Sequence, residues 1–273
     1  MSNRRLVHAT ALSVLVLSPV SVFAQIESPL PELVTDRPDF TESSNVVGRG
    51  ILQVEMGTTL ESNGKDADRD RTLTTPLALM RIGVSKRIEL RFGTDGYMLD
   101  TTGIGAAQAV TRGQSDLEVG AKVVLLDESH RVQFAVIPMA SLPTGKAGIT
   151  SGTVDPTVKL TWATSLPRNF ALSGNANLER LGDDHGRYTE SVLSFSLGHD
   201  LGLGWGGYWE AFGFMPKGRP GNAAWTVDTG ITHGIGGNLQ IDLEVGRGVT
   251  AAAPDWFIGA GVGIRTSLLR PRR

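Results

Sequence analysis

The residue types best suited to chemistry crowd into one short stretch. "TDRPDFTES", Thr35 to Ser43, sets Asp36, Arg37, Asp39 and Glu42 around Pro38. Such a group can be a catalytic site, a cap on another element, or a plug. Nucleophilic catalysis would need more. His130, His185, His199 and His233 and many serines are present, but no G-x-S-x-G elbow accompanies them. In "SLGHD", Ser196 and His199 would project from opposite faces of a strand, so no catalytic residue is assigned. "DADRD" alternates Asp66, Asp68 and Asp70 but lacks the glycine turn and final Glu of a calcium loop, and reads as a solvated loop. "PTGKAG" has Ala147 where a phosphate-binding loop needs Ser or Thr after Lys146. "GDDHG", Gly182 to Gly186, is most simply a turn. Neither a metal nor a cofactor is expected.

The ends and composition bound the elements that must position these groups. Arg4 and Arg5, an apolar run from Leu6 to Leu17, Pro19, and small Val22 and Ala24 make residues 1–24 a secretory signal peptide, with Gln25 first in the mature chain. The run is shorter than the ~18–20 residues that a helix needs to span a bilayer. Zero cysteines remove disulfides, thiolate ligands and thiol nucleophiles. A net charge of -2 argues against a nucleic-acid partner. Mean hydropathy is -0.04, and every apolar stretch after residue 25 is short or interrupted.

The dominant pattern is a period of two. "ILQVEMGTTL" sets Leu52, Val54, Met56 and Leu60 against Gln53, Glu55 and Thr59, and "NLQIDLEVG" sets Leu239, Ile241, Leu243 and Val245 against Gln240, Asp242 and Glu244. Twelve such segments are expected, near 51–61, 71–84, 87–95, 114–126, 131–142, 153–164, 169–180, 187–199, 204–215, 223–233, 238–247 and 255–266. Tight connections such as "VSKR" and "HGIGG" alternate with longer polar ones such as "TDGYMLDTTGIGAAQAVTRG". That is the grammar of a transmembrane up-and-down antiparallel β-barrel with both termini in the periplasm. A soluble barrel would alternate too. Three features favour the membrane: long strands; aromatics toward segment ends at Trp162, Tyr188, Trp205, Trp225 and Trp256; and a twelve-stranded lumen too wide for apolar side chains to fill.

"TDRPDFTES", followed by "GRGILQVEMG", "IELRFGTDGY", "SDLEVGAKVVLLDE", "PMASLPTG" and Asp155-Pro156, resembles the outer-membrane transporter family named for the MetA pathway of phenol degradation, over essentially the whole mature chain. The resemblance implies an outer-membrane channel for uptake of small, often aromatic, compounds. One departure is the end: "DWFIGAGVGIR" runs on into "TSLLRPRR" rather than stopping on an aromatic residue.

Four regions follow: the leader at 1–24, a periplasmic N-terminal segment at 25–50, the barrel at 51–266 and a basic tail at 267–273. With apolar faces on lipid, the lumen would gather Glu55, Arg81, Glu89, Arg91, Glu118, Lys122, Lys159, Glu179, Glu210, Asp228, Asp242, Glu244 and Arg265. Most are expected to be structural pairs. Asp36, Arg37, Asp39 and Glu42 would find partners there, so the opening stretch is expected to fold against or into the periplasmic mouth as a plug. The expected partners are outer-membrane lipid, the barrel assembly machinery and a small-molecule permeant, in a monomer or trimer. The rival readings are a barrel enzyme acting on lipid and a structural barrel with a closed lumen.

Overall fold

A computed structural model describes residues 33–64, 69–103, 108–183, 185–218 and 221–269. The candidate leader, Asp66, Asp68 and the last basic residues lie outside them. Fourteen β segments form one antiparallel sheet: β1 (Ile51–Asn63), β2 (Asp70–Gly83), β3 (Ile88–Thr94), β4 (Tyr97–Thr102), β5 (Ala109–Gln114), β6 (Leu117–Leu126), β7 (Gln133–Leu142), β8 (Asp155–Leu166), β9 (Phe170–Asp183), β10 (Gly186–Gly202), β11 (Trp205–Lys217), β12 (Ala224–Ile235), β13 (Leu239–Gly248) and β14 (Trp256–Ser267). β1 pairs with both β2 and β14, from Ile51 opposite Ser267 to Ser62 opposite Trp256, so the sheet closes on itself.

The wall has twelve strands because two of them are interrupted. β3 and β4 both pair with β2, and they in turn pair with β6 and β5. The stretch expected as a long loop from Thr94 to Gly113 is therefore mostly a hairpin continuing the wall. Its breaks, at Asp95-Gly96 and Ser115-Asp116, are local irregularities of the kind that re-aim side chains in barrels. At the first, Gly96 has φ of +73° and a β-carbon there would lie 2.0 Å from the Pro76 carbonyl oxygen, which only glycine allows.

Which face is wet is settled by exposure. On β13, Leu243 is 55% exposed while neighbouring Asp242 is 4% exposed. The largest fully buried side chains are led by Arg81, Arg91 and Lys122, with Gln53, Glu55 and Glu89 among them. Apolar residues facing out and charges facing in is the inverse of a soluble barrel, and the arrangement of an outer-membrane one, where lipid is the solvent for the outer face. Trp205 and Trp256 stand exposed at strand ends, whereas Tyr188 is buried and Trp162 lies within β8. Trp225 is half-buried near the start of β12, and the most exposed tryptophan, Trp209, lies within β11 rather than at its end.

At the short-turn end, β8–β9, β10–β11 and β12–β13 turn through consecutive positive-φ residues, Arg168-Asn169, Leu203-Gly204 and Gly236-Gly237. Paired positive φ matches the twist of a two-residue hairpin. Beside this end, residues 48–50 carry the chain from the interior into β1. Gly50 donates to Gly83 O at 2.8 Å and accepts from Leu268 N at 2.7 Å, stapling that turn to β2 and to the end of β14. A β-carbon on Gly83 would lie 1.5 Å from Gly48 O. Gly83→Ala is expected to displace this turn at a cost of about 1–3 kcal/mol, read as a lower temperature for loss of the fast-migrating, unboiled band on a gel.

Candidate functional site

β-register dictates the basic side of the lumen. Gln53 lies opposite Arg81, Arg81 opposite Arg91, and Glu89 opposite Lys122. Two arginines face to face across a strand pair repel, so carboxylates must come between them. Glu89 is one, accepting from Arg81 Nε at 2.9 Å and Arg91 Nη1 at 2.8 Å. Glu55 is a second, 3.1 Å from Arg81 Nη1. The third comes from outside the wall: Asp36 lies 2.7 Å from Arg91, 3.0 Å from Lys122 and 3.4 Å from Arg81.

The segment's backbone completes the arrangement. Asp36 N donates to Glu55 at 2.8 Å and Val47 N to Glu89 at 2.9 Å, while the Val34 and Asn45 carbonyls accept from Arg81 at 3.1 and 2.9 Å. Ser43 N closes back on Asp36 at 2.9 Å, making the stretch a compact knot. Glu42 reaches Arg91 at 2.9 Å and Lys159 at 2.5 Å, and its carbonyl accepts from Thr161 at 2.9 Å.

Across the lumen the same segment meets an acidic wall. Glu210 accepts from Phe40 N at 2.6 Å, from Thr41 N at 2.7 Å and from the Thr41 hydroxyl. The Phe40 ring stacks on Phe212 at 4.6 Å and meets Phe214 edge-on. Asp39 accepts from Ser196 at 3.1 Å, and Arg37 donates to Asp242 at 3.2 Å with Glu244 3.7 Å away. Tyr208 donates to Asp228 at 2.8 Å. Partners on β1, β2, β3, β6, β8, β10, β11 and β13 surround the segment, so residues 34–47 thread the inside of the closed wall.

Three titrating groups of the segment feel this placement. Burial would raise Asp36, but Arg81, Lys122 and Arg91 together hold it well below the ordinary carboxylate range. Burial opposes the charge on Glu42 as well, and Arg91 and Lys159 prevail, drawing it down to about 2. Among the described residues no cation forms an ion pair with Asp39. Burial pushes it up to about 7, with the Ser196 hydrogen bond opposing in part.

Open space remains on both sides of the thread. A cavity of about 540 Å³ on the short-turn side is lined by residues including Asp39, Ser196, Tyr208 and Gln240. On the other side, cavities of about 180 and 260 Å³ share Asp95, Glu118, Met139 and Lys159. Arg37 lines both the large inner cavity and the first of the outer ones.

Of the lumen candidates, Glu55, Arg81, Glu89, Arg91 and Lys122 form the cluster on Asp36, and Lys159 joins it through Glu42. Glu210, Asp228, Asp242 and Glu244 make the acidic wall. Glu118 and Glu179 line the outer cavities. Arg265 is tied to the turn before β13, donating to Gly237 O at 2.8 Å and Asn238 Oδ1 at 3.2 Å. Asp95 and Asp116, which also line the outer space, are absent from the lumen candidates although both fall within expected strands. For Asp95 the signal was available, since it continues the alternation Glu89, Arg91, Gly93 by one more step. Ser196 and His199, expected on opposite faces, both line the inner cavity; Ser196 donates to Asp39 and the His199 ring stacks on Phe170 at 4.1 Å, which commits each to another partner.

Among curated proteins, none matches this sequence. The fold is similar to the crystal structure of the COG4313 outer membrane channel from Pseudomonas putida F1, with TM-score 0.58 and 12% identity over 82% of this chain and 98% of that one. It is also similar to the translocator domain of the autotransporter NalP from Neisseria meningitidis, with TM-score 0.51 and 10% identity over 82% of this chain and 90% of that one. At these identities the likeness concerns the fold. A family model matches far more directly, over residues 35–266, beginning at the first residue of the stretch that threads the lumen. This outer-membrane barrel belongs to the family described as "Putative MetA-pathway of phenol degradation".

Proposed function

We propose that the protein is a passive channel for small molecules whose resting lumen is narrowed by its own N-terminal segment. The observation that carries this reading is the thread itself: residues 34–47 bridge a basic and an acidic wall, with cavities above and below. A purely structural barrel could fill its lumen from the wall alone. Here the filling is a piece of chain outside the wall's strand pairing, joined covalently to β1 at one end and held inside by ion pairs and hydrogen bonds. Passage through such a lumen needs a path and weak binding, and no catalytic group.

Small aromatic compounds are the cargo that the family description suggests, and the inner cavity, lined in part by Trp205 and Tyr208, offers apolar surface beside polar groups. Conductance in a planar bilayer tests the reading. Removing residues 33–47 is expected to raise single-channel conductance well above that of the full chain. A shortened barrel that is folded, by its unboiled gel mobility, yet carries no current would establish the closed structural barrel instead.

A further inference from the structure

Two neighbouring residues of the threaded segment are fastened unequally. Asp36 is saturated by three cations and a backbone amide. Arg37, one residue on, holds its wall loosely. One nitrogen reaches one oxygen of Asp242 at 3.2 Å, the contact to Glu244 is 3.7 Å, and both Arg37 Nε and Asp242 Oδ2 are buried without a hydrogen-bond partner. A guanidinium and a carboxylate can form two parallel hydrogen bonds. This pair makes one, and leaves capacity unused on both sides.

The wall beneath Arg37 is shaped to its plane. Gly57 and Gly261 lie opposite each other across β1 and β14, and a β-carbon on either would come within 2.3 Å of the guanidinium group. Charge points the same way. Glu210, Asp228, Asp242 and Glu244 face this part of the lumen, and Arg37 is the cation that pairs with Asp242 and Glu244. Arg37 lines cavities on both sides of the thread.

We infer that the slot formed by Asp242, Glu244, Gly57 and Gly261 is a binding site for a small organic cation, guanidinium or a primary ammonium, which Arg37 occupies at rest and yields to the permeant. The inference rests on the channel reading and adds to it the sign of the charge that is favoured. A fixed excess of carboxylates raises the local concentration of cations, by on the order of tenfold where walls focus the field.

Two bilayer measurements test it. The first is the reversal potential of the barrel lacking residues 33–47 under a KCl gradient. The second is current through the full chain on adding millimolar guanidinium chloride, against sodium chloride at equal ionic strength so that screening is matched. Expected are a cation preference of on the order of tenfold and a rise in open time with guanidinium alone. Both should fall in Asp242→Asn/Glu244→Gln, with Glu244→Gln alone as the milder variant should the pair not fold. A shortened barrel that conducts without cation preference, or guanidinium acting no better than sodium, would overturn the cation slot and leave the channel reading intact. A folded shortened barrel without current removes both.

Discussion

Asp36→Asn is expected to loosen the threaded segment more than any other single substitution in it. The amide keeps the shape of the side chain and can still accept from Ser43 N, but it removes the charge on which Arg91, Lys122 and Arg81 converge. Lys122 is hit hardest. Its remaining contacts are the Asn45 carbonyl at 3.3 Å, the Ser43 hydroxyl at 3.5 Å and Glu89 at 3.9 Å, two of which also belong to the segment. Removing one partner from a buried ionic cluster costs about 3–5 kcal/mol, chiefly because the other charges stay buried. At about 1.4 kcal/mol per decade, that shifts docking by two to four orders of magnitude. The measurements are conductance, expected to approach that of the barrel lacking residues 33–47, and protease cleavage within 33–50, expected to become rapid. Adding Lys122→Met should recover much of the docking, since removing both members of a buried pair is far less costly than removing one. No change in either measurement would show that the ion pairs do not hold the segment.

The barrel was legible because its evidence was redundant: twelve stretches alternated, and no single boundary mattered. What the alternation lacked was a sign. The string Leu239-Gln240-Ile241-Asp242-Leu243 reads the same with either face outward, and only a closed wall with a lipid-facing surface decides that Leu243 is the exposed one. The hairpin continuing past Thr94 was missed for a local reason. Glu89, Arg91 and Gly93 share the inward face, but beyond Asp95-Gly96 it is Met98 that lines the outer cavity, so the parity of the face flips. Gly113 and Asp116 flank the matching flip on the return strand. A period-two reading ends where parity breaks, even though the strand does not.

The candidate plug was legible as a charge mismatch, too many ionisable groups before the first strand to leave unpaired. Its partner list was not. Asp36 lies 55 residues before Arg91 and 86 before Lys122, separations fixed by barrel closure rather than by local pattern. Nor did the sequence divide the lumen into a basic and an acidic side. That division follows from which strands become neighbours, with β1, β2, β3 and β6 on one side and β11, β12 and β13 on the other.

Docking of the segment is expected to be tightest near pH 4–5 and to weaken in both directions, because its carboxylates are shifted oppositely. Released into water, all three titrate near the ordinary value of about 4. Glu42 falls to about 2 when docked, and Asp36 is also held low. Their contribution is fully present above the released value and is lost as pH falls through the docked one, so acid below about pH 4 frees the segment. Asp39 works the other way. Docked, it keeps its proton up to about pH 7, whereas released it is ionised above about pH 4. Between those limits each rise in pH costs docking, by at most about tenfold per unit for one proton, and above pH 7 the loss stops growing. Burial governs this limb first; the Ser196 hydrogen bond supports the charge on Asp39, and Asp228 and Asp36 add to the opposition. Bilayer conductance should therefore pass through a minimum near pH 4–5. Asp39→Asn should flatten the rise toward neutral pH and lower the conductance at pH 7, while Glu42→Gln should leave that limb alone and weaken the acid one. A conductance that falls steadily from neutral to acid pH in the unaltered chain would show that proton uptake at Glu42 and Asp36 does not release the segment.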